Sequence, residues 1–295
     1  MSLLRKLLPF LVLTTLLTGS SADVERTPLE VKLGTLDYVE WQHGDAPIII
    51  SVPHGGGLRP DQLPDRGYGK TARDSRTAEI GHQLRKAIYE ATGKTPHLVL
   101  CHLHRSKLDA NREIREAAQG ASDAETAWTE YHEFIDQARA QVVKDYGQGL
   151  YVDLHGQSHS EGWIEWGYTL SSKSLATSKL KGPSSIDHLA RVSELSLAEL
   201  ISGSTSLGGR SQALGYESVP SPAHVSPEGG QYFSGGYSTK RHGSSERGTI
   251  DGVQLELPRR LRANTAGHPR LCRDLAQVLV GFLNQHYEID WVESE

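Results

Sequence analysis

The chain has 295 residues, with 36 acidic against 31 basic side chains and a formal charge of −5. That balance excludes nucleic-acid binding through bulk positive charge. With 37% hydrophobic and 23% charged residues, 30 glycines and 13 prolines, the composition is globular rather than disordered, collagen-like or coiled-coil.

Arg5 and Lys6 precede an apolar run over residues 7–17, and small residues follow in Thr18-Gly19-Ser20-Ser21-Ala22. This reads as a cleaved secretory signal over residues 1–22, since the run falls short of the roughly 20 residues needed to span a bilayer. The expectation is a secreted, extracellular protein whose single catalytic domain occupies residues 23–295, with no stable membrane insertion. Cys101 and Cys272 are too few for a disulfide scaffold or a thiolate zinc finger. They either pair or remain two buried thiols, because spacing alone does not set their separation.

Along the chain, residues 47–52, 97–103, 149–154 and 252–257 are short aliphatic or β-branched runs bounded by turn residues, and predict core strands. Helical periodicity predicts helices over 75–91, 124–146, 186–201 and 271–287. Buried strands alternating with amphipathic helices predict an α/β sheet covered on both faces. Residues 202–247 are rich in Gly, Ser and Pro and read as a long irregular loop at the mouth of a site.

Ligands of open α/β sheets bind at the carboxyl ends of the strands, and all four runs end in polar chemistry. The first stops at Pro53-His54-Gly55-Gly56-Gly57, where glycines let the backbone approach a ligand closely. The second leads into a polar cluster containing Arg105 and Asp109-Ala110-Asn111-Arg112; a planar guanidinium beside an amide suits a substrate carboxylate. In the third, Asp153 and His155 lie on the same side of an extended chain, an arrangement in which a carboxylate orients a metal-bound imidazole. In the fourth, alternation places Gln254 and Glu256 on one face. A carboxylate there costs several kcal/mol to bury unless paired, which favours a general base; an ion pair with Arg259, Arg260 or Arg262 is the structural alternative. A serine triad is disfavoured because no Gly-x-Ser-x-Gly turn follows a strand.

The segments Ser51-Val52-Pro53-His54-Gly55-Gly56, Leu108-Asp109-Ala110-Asn111-Arg112-Glu113, Val152-Asp153-Leu154-His155-Gly156 and Gln254-Leu255-Glu256-Leu257 resemble, in this order, those of the N-formylglutamate amidohydrolase family, which is similar in fold to the zinc carboxypeptidases. The resemblance spans roughly residues 47–261. It implies a twisted, mixed, mostly parallel sheet flanked by helices, one catalytic zinc ion, and hydrolysis of an amide bond in an N-acyl amino acid or small peptide. His54 and His155 resemble zinc ligands. Zinc carboxypeptidases carry a Glu three residues after the first His, where this chain has Gly57; Asp74 resembles the family's carboxylate and is preferred over Asp61 and Asp65. Asn111 and Arg112 resemble a carboxylate-binding pair and Glu256 the catalytic base. Arg105 or Arg112 would stabilise the oxyanion, Asp153 would stand behind a metal histidine, and Tyr237, Arg241 and His242 would close over the substrate. Because the family's name-giving substrate belongs to intracellular histidine breakdown, the secretion signal points instead to an extracellular amide. The alternatives are a secreted matrix or binding protein that keeps the fold without turnover, and a metal-independent serine hydrolase.

Overall fold

The computed structural model describes residues 29–177, 180, 182–245, 248–289 and 291; the expected signal over 1–22 lies outside them. Strands β1 (Val31–Leu33), β2 (Val39–Gln42), β3 (Ile48–Val52), β4 (His97–Cys101), β5 (Gly149–Gln157), β6 (Ile164–Gly167), β7 (Ser218–Val219) and β8 (Ile250–Pro258) form one sheet in the order β1-β2-β4-β3-β5-β8-β6-β7. The central four, β4, β3, β5 and β8, are parallel. Antiparallel β2 and β1 finish one edge, and β6, antiparallel to β8, carries β7 at the other. The helices are α1 (Thr77–Thr92), α2 (Ile114–Ala118), α3 (Ser122–Tyr146), α4 (Ser172–Leu175), α5 (Asp187–Val192), α6 (Leu197–Ser202), α7 (Leu207–Ala213), α8 (Tyr237–His242), α9 (Arg259–Ala263) and α10 (His268–His286). This is a single-domain α/β fold with a mixed, mostly parallel sheet. No described helix is long and apolar enough to cross a membrane.

The two faces of the sheet follow from the period of two along each strand. Ile48, Ile50 and Val52 of β3, Leu150, Val152 and Leu154 of β5, and Val253, Leu255 and Leu257 of β8 all bury into one core with α1 and α10. Ile49, Tyr151 and Ile250 point the other way, into a second core under α3. Further along that second face the apolar side chains give way to Ser51, Asp153, His155, Gln254 and Glu256, all buried. The polarity therefore changes along one face of the sheet and not along the other. From β3 the chain passes through α1 to β4 on one side, then returns across the opposite face through α3 to β5 on the other. The strand order thus reverses between β3 and β5, and a crevice opens at their carboxyl ends.

Two expectations change, and one open alternative closes. The helix read over 186–201 is two helices, α5 and α6, because Ser193 is extended and Ser196 starts a new helix by a reciprocal capping box with Glu199. The stretch 202–247 is not one irregular loop, since it holds α7, β7 and α8. Cys101 packs in the core under α3 and Cys272 in the core under α1 and α10, on opposite faces of the sheet; both are free, buried thiols.

Candidate metal centre

Three segments meet at the crevice. His54 follows β3 in a turn that only glycine permits, since a Cβ on Gly56 would lie 2.2 Å from the carbonyl oxygen of His102. Asp74 precedes α1, and its backbone N–H donates to the His54 carbonyl at 2.9 Å, tying the two loops together. His155 lies near the end of β5, directly opposite Glu256 of β8 in the parallel register.

The donor atoms converge tightly. His54 Nδ1 lies 3.2 Å from His155 Nδ1 and 3.4 Å from Asp74 Oδ2, and His155 Nδ1 lies 3.1 Å from the same oxygen. Both rings are anchored from behind: His54 Nε2 lies 2.6 Å from Asp109 Oδ1, and His155 Nε2 lies 3.0 Å from Asp153 Oδ2. A carboxylate at each Nε2 assigns the ring proton there. With both rings neutral, the two Nδ1 lone pairs and an Asp74 oxygen then face one another, three acceptors with no donor among them, an arrangement that a cation, a proton on Nδ1 or a metal ion, relieves. For ligand distances of about 2.0–2.1 Å, the corners of a tetrahedron stand about 3.3 Å apart. The observed separations fit, and His54, Asp74 and His155 form the group of described residues able to hold a metal ion.

The supporting carboxylates are themselves held. Arg105 donates from Nε at 3.0 Å and from Nη2 at 2.9 Å to Asp109 Oδ2. Ser51 Oγ donates to Asp153 Oδ1 at 2.8 Å. The Gly156 N–H donates to Asp74 Oδ2 at 3.2 Å. Burial pushes the Asp74 carboxyl up, but hydrogen bonds from His155 and His54 outweigh it and hold the group well below the usual carboxylate range. For His155, burial opposes the charged ring, yet the Asp153 charge and hydrogen bonds to Asp153 and Asp74 carry its pKa well above the ordinary value. Glu256 behaves oppositely. Burial, joined by the negative charges of Asp74, Glu165 and Asp153 and offset in part by His155, pushes its carboxyl up to about 8. Gln254 Nε2 donates to Glu256 Oε1 at 2.9 Å, while the buried Oε2 has no hydrogen-bond partner.

A cavity of about 1020 Å³ opens on these groups, lined among others by His54, Asp74, His155, Glu256, Arg105 and Arg112. Asn111 lines it too, but its Oδ1 is taken up by the Ser238 N–H at 2.8 Å, and its Nδ2 stands 3.1 Å from His155 Nε2. Arg112 is partly exposed and donates to Glu116 Oε1 at 3.2 Å and to the Asn111 carbonyl at 2.7 Å. Asp65 faces outward onto Lys107 and Ser106, and Asp61 is exposed; neither joins the donor group. Arg262 donates to the carbonyls of Leu257, Gln157 and Ser75, so it does not serve as the ion-pair partner of Glu256.

The loop expectation fails for Tyr237, Arg241 and His242. Tyr237 packs near Trp128 and His132, Arg241 binds Asp136, and His242 is fully buried against His132. Residues 231–236 line the cavity instead. Asp109 carries no separate signal in the sequence, although it sits within the Leu108–Glu113 segment; its role appears only when β3 and the segment after β4 are brought side by side.

No protein-family model matches this sequence, and no curated protein is similar to it at the sequence level. Solved structures share its fold, two of them as follows. One is N-formylglutamate amidohydrolase from Ralstonia eutropha JMP134, with a TM-score of 0.51 at 13% identity over 88% of this chain and 98% of that one. The other is the gene product Atu2144 from Agrobacterium tumefaciens, with a TM-score of 0.53 at 12% identity over 84% of this chain and 95% of that one.

Proposed function

We propose that this protein is a secreted, zinc-dependent amidohydrolase that cleaves the amide bond of an N-acyl amino acid or small peptide. The observation that carries the reading is the convergence of three acceptor atoms, from His54, Asp74 and His155, in the same cavity as a buried carboxyl with an unpartnered oxygen, Glu256. Two imidazoles and one carboxylate are the donor set of hydrolytic zinc sites that keep a position open. The fold shared with an amidohydrolase is consistent with this chemistry, and the basic-then-apolar start of the chain supports secretion.

When bound, zinc supplies Lewis acidity, lowering the pKa of water toward neutrality and polarising the scissile carbonyl. The residues around it do the rest. Asp109 and Asp153 hold the two rings with their Nδ1 atoms turned inward. Glu256, with Oε2 free and its pKa raised toward the working range, takes a proton from the attacking water and returns it to the departing nitrogen. Arg112 offers a cationic donor at the cavity wall for the substrate's carboxylate or developing oxyanion. Burial pushes the Asp109 carboxyl up, but His54 and then Arg105, which is committed to it, hold it well below the usual carboxylate range.

The test is metal analysis of the purified protein together with hydrolysis of a panel of N-formyl and N-acetyl amino acids and dipeptides, before and after chelation. About one zinc per chain, activity abolished by chelator and restored by zinc, is the expected result. Zinc binding without hydrolysis of any amide would make the chain a binding protein on a hydrolase fold, and folded protein that binds no zinc would overturn the reading altogether.

A further inference from the structure

Beyond the metal-facing groups, a second buried carboxylate that the mechanism does not use lies behind the cavity wall, against the lining residues His159 and Phe233. Glu165 of β6 stands directly opposite Glu256 in the antiparallel register and is almost fully buried. Two carboxyls side by side in a dry sheet oppose each other's ionisation, so its presence requires a reason. Its two oxygens face two separate donors: Oε1 lies 2.7 Å from His159 Nδ1, and Oε2 accepts from the Phe233 N–H at 2.8 Å. His159 lines the cavity. Its ring packs against Phe233 at 4.5 Å between centroids, and its backbone N–H is held by Gln157 Oε1 at 2.5 Å. The imidazole is thus braced on three sides, while its Nε2 makes no hydrogen bond to any described residue.

A carboxylate at Nδ1 fixes the ring orientation and stabilises the imidazolium. With Nδ1–H committed to Glu165, a protonated His159 offers Nε2–H to the cavity, and a neutral one offers only a lone pair. We propose that His159, braced by Glu165, is a substrate-contacting residue whose Nε2–H donates to a carboxylate or carbonyl oxygen of the substrate on the Phe233 side of the cavity. The proposal rests on the amidohydrolase reading and adds a binding determinant to it. The charged groups around the ring are Glu165 from β6, Glu161 from the preceding turn, Lys70, whose Nζ lies 4.8 Å from the far partner of the stack, Phe233, and Glu256 behind Glu165.

Steady-state kinetics of zinc-loaded wild type, His159→Gln and Glu165→Gln on the best substrate of the panel test this. A hydrogen bond to a charged group is worth about 1.5–3 kcal/mol, so His159→Gln should raise KM about 10- to 100-fold. The loss should fall on KM rather than kcat, with zinc content kept. Glu165→Gln, which loosens the ring without removing it, should raise KM by less, again at unchanged kcat and zinc content. A wild-type KM in His159→Gln overturns the proposal while leaving the amidohydrolase reading intact. A wild type that hydrolyses no amide overturns both. Should His159→Gln fail to fold, Glu165→Gln decides alone, a wild-type KM counting against the proposal.

Discussion

Two pairs of buried histidines lie within this fold, and they are built for opposite ends. His54 and His155 face each other through Nδ1 atoms 3.2 Å apart, with an aspartate behind each ring and a third between them. His132 of α3 and His242 of α8 meet Nδ1 to Nε2 at 2.8 Å, an ordinary imidazole-to-imidazole hydrogen bond sharing one proton. The outer nitrogen of His132 faces only the Ala110 carbonyl, at 3.1 Å. Its one nearby carboxylate, Asp136, is half-exposed, beside His242 and shared with Arg139 and Arg241. Burial leads in lowering the pKa of both His132 and His242, so that pair is neutral packing. At the first pair, carboxylates overcome the same burial at His155. What separates a cation site from a core contact is the supply of negative charge and the direction of the lone pairs, not the number of imidazoles.

The two pairs should part first on metal content. His155→Ala should reduce bound zinc from about one per chain to near zero and abolish hydrolysis, whereas His242→Ala should lower the melting temperature and keep the zinc. Equal zinc loss in both variants, by metal analysis after gel filtration, would erase the distinction. Glu256→Gln comes next. It keeps a side chain of the same shape but removes the proton carrier, so kcat should fall about 10²- to 10⁴-fold at unchanged zinc content.

The legible part of this molecule is its centre. Parallel strands buried on both faces read as continuous apolar runs, and β3, β4, β5 and β8 are visible for that reason, as is the polar residue ending each. The edges carry no such signal: β1 is three exposed residues, Val31, Lys32 and Leu33, and β6 and β7 are too short to stand out. The Ser196-x-x-Glu199 capping box lies within a segment whose periodicity suggests one helix, and it marks the break. Asp109 has no such local mark, because its partner His54 lies 55 residues away and only the β3–β4 crossover joins them. Tyr237, Arg241 and His242 escape the sequence for another reason: polar residues in a Gly-rich stretch look the same whether they line a cavity or pack beneath it.

Burial without counter-charge leaves a different signature, in stability rather than metal content. Asp251 lies on β8 like Glu256, but its oxygens accept from Ser244, Tyr287 and the Leu189 N–H, and no cation among the described residues pairs with it. Burial leads in pushing its carboxyl up to about 6 from 3.8. The folded state therefore holds a proton that the unfolded chain releases. The associated stability is fully present below about pH 4 and is lost as pH rises through about 6. A rise of that size corresponds to about 3 kcal/mol. Urea unfolding of Asp251→Asn and wild type at pH 4 and 7 should show the wild type losing about that much more on the way up; parallel losses would refute it.

The smallest expected effect bears most closely on the contrast between the two histidine pairs. Asp109→Asn leaves the His54 ring in place and all three metal-facing atoms intact, but removes the charge that fixes its Nε2 proton and strengthens Nδ1 as a donor. It makes the environment of His54 more like that of His132, which leans on a neutral carbonyl. Outer carboxylates of this kind contribute about 10- to 100-fold to metal affinity, so zinc competition against a chromophoric chelator should show a loss in that range. Arg105, freed from Asp109 but still 3.7 Å from Asp74, should add to the loss by drawing charge from the metal-facing carboxylate. Replacing Arg105 with Met in the Asp109→Asn background should then restore part of the affinity. If Asp109→Asn binds zinc as tightly as wild type, the carboxylate behind His54 serves packing alone, and the contrast between the two histidine pairs narrows to the direction of their lone pairs.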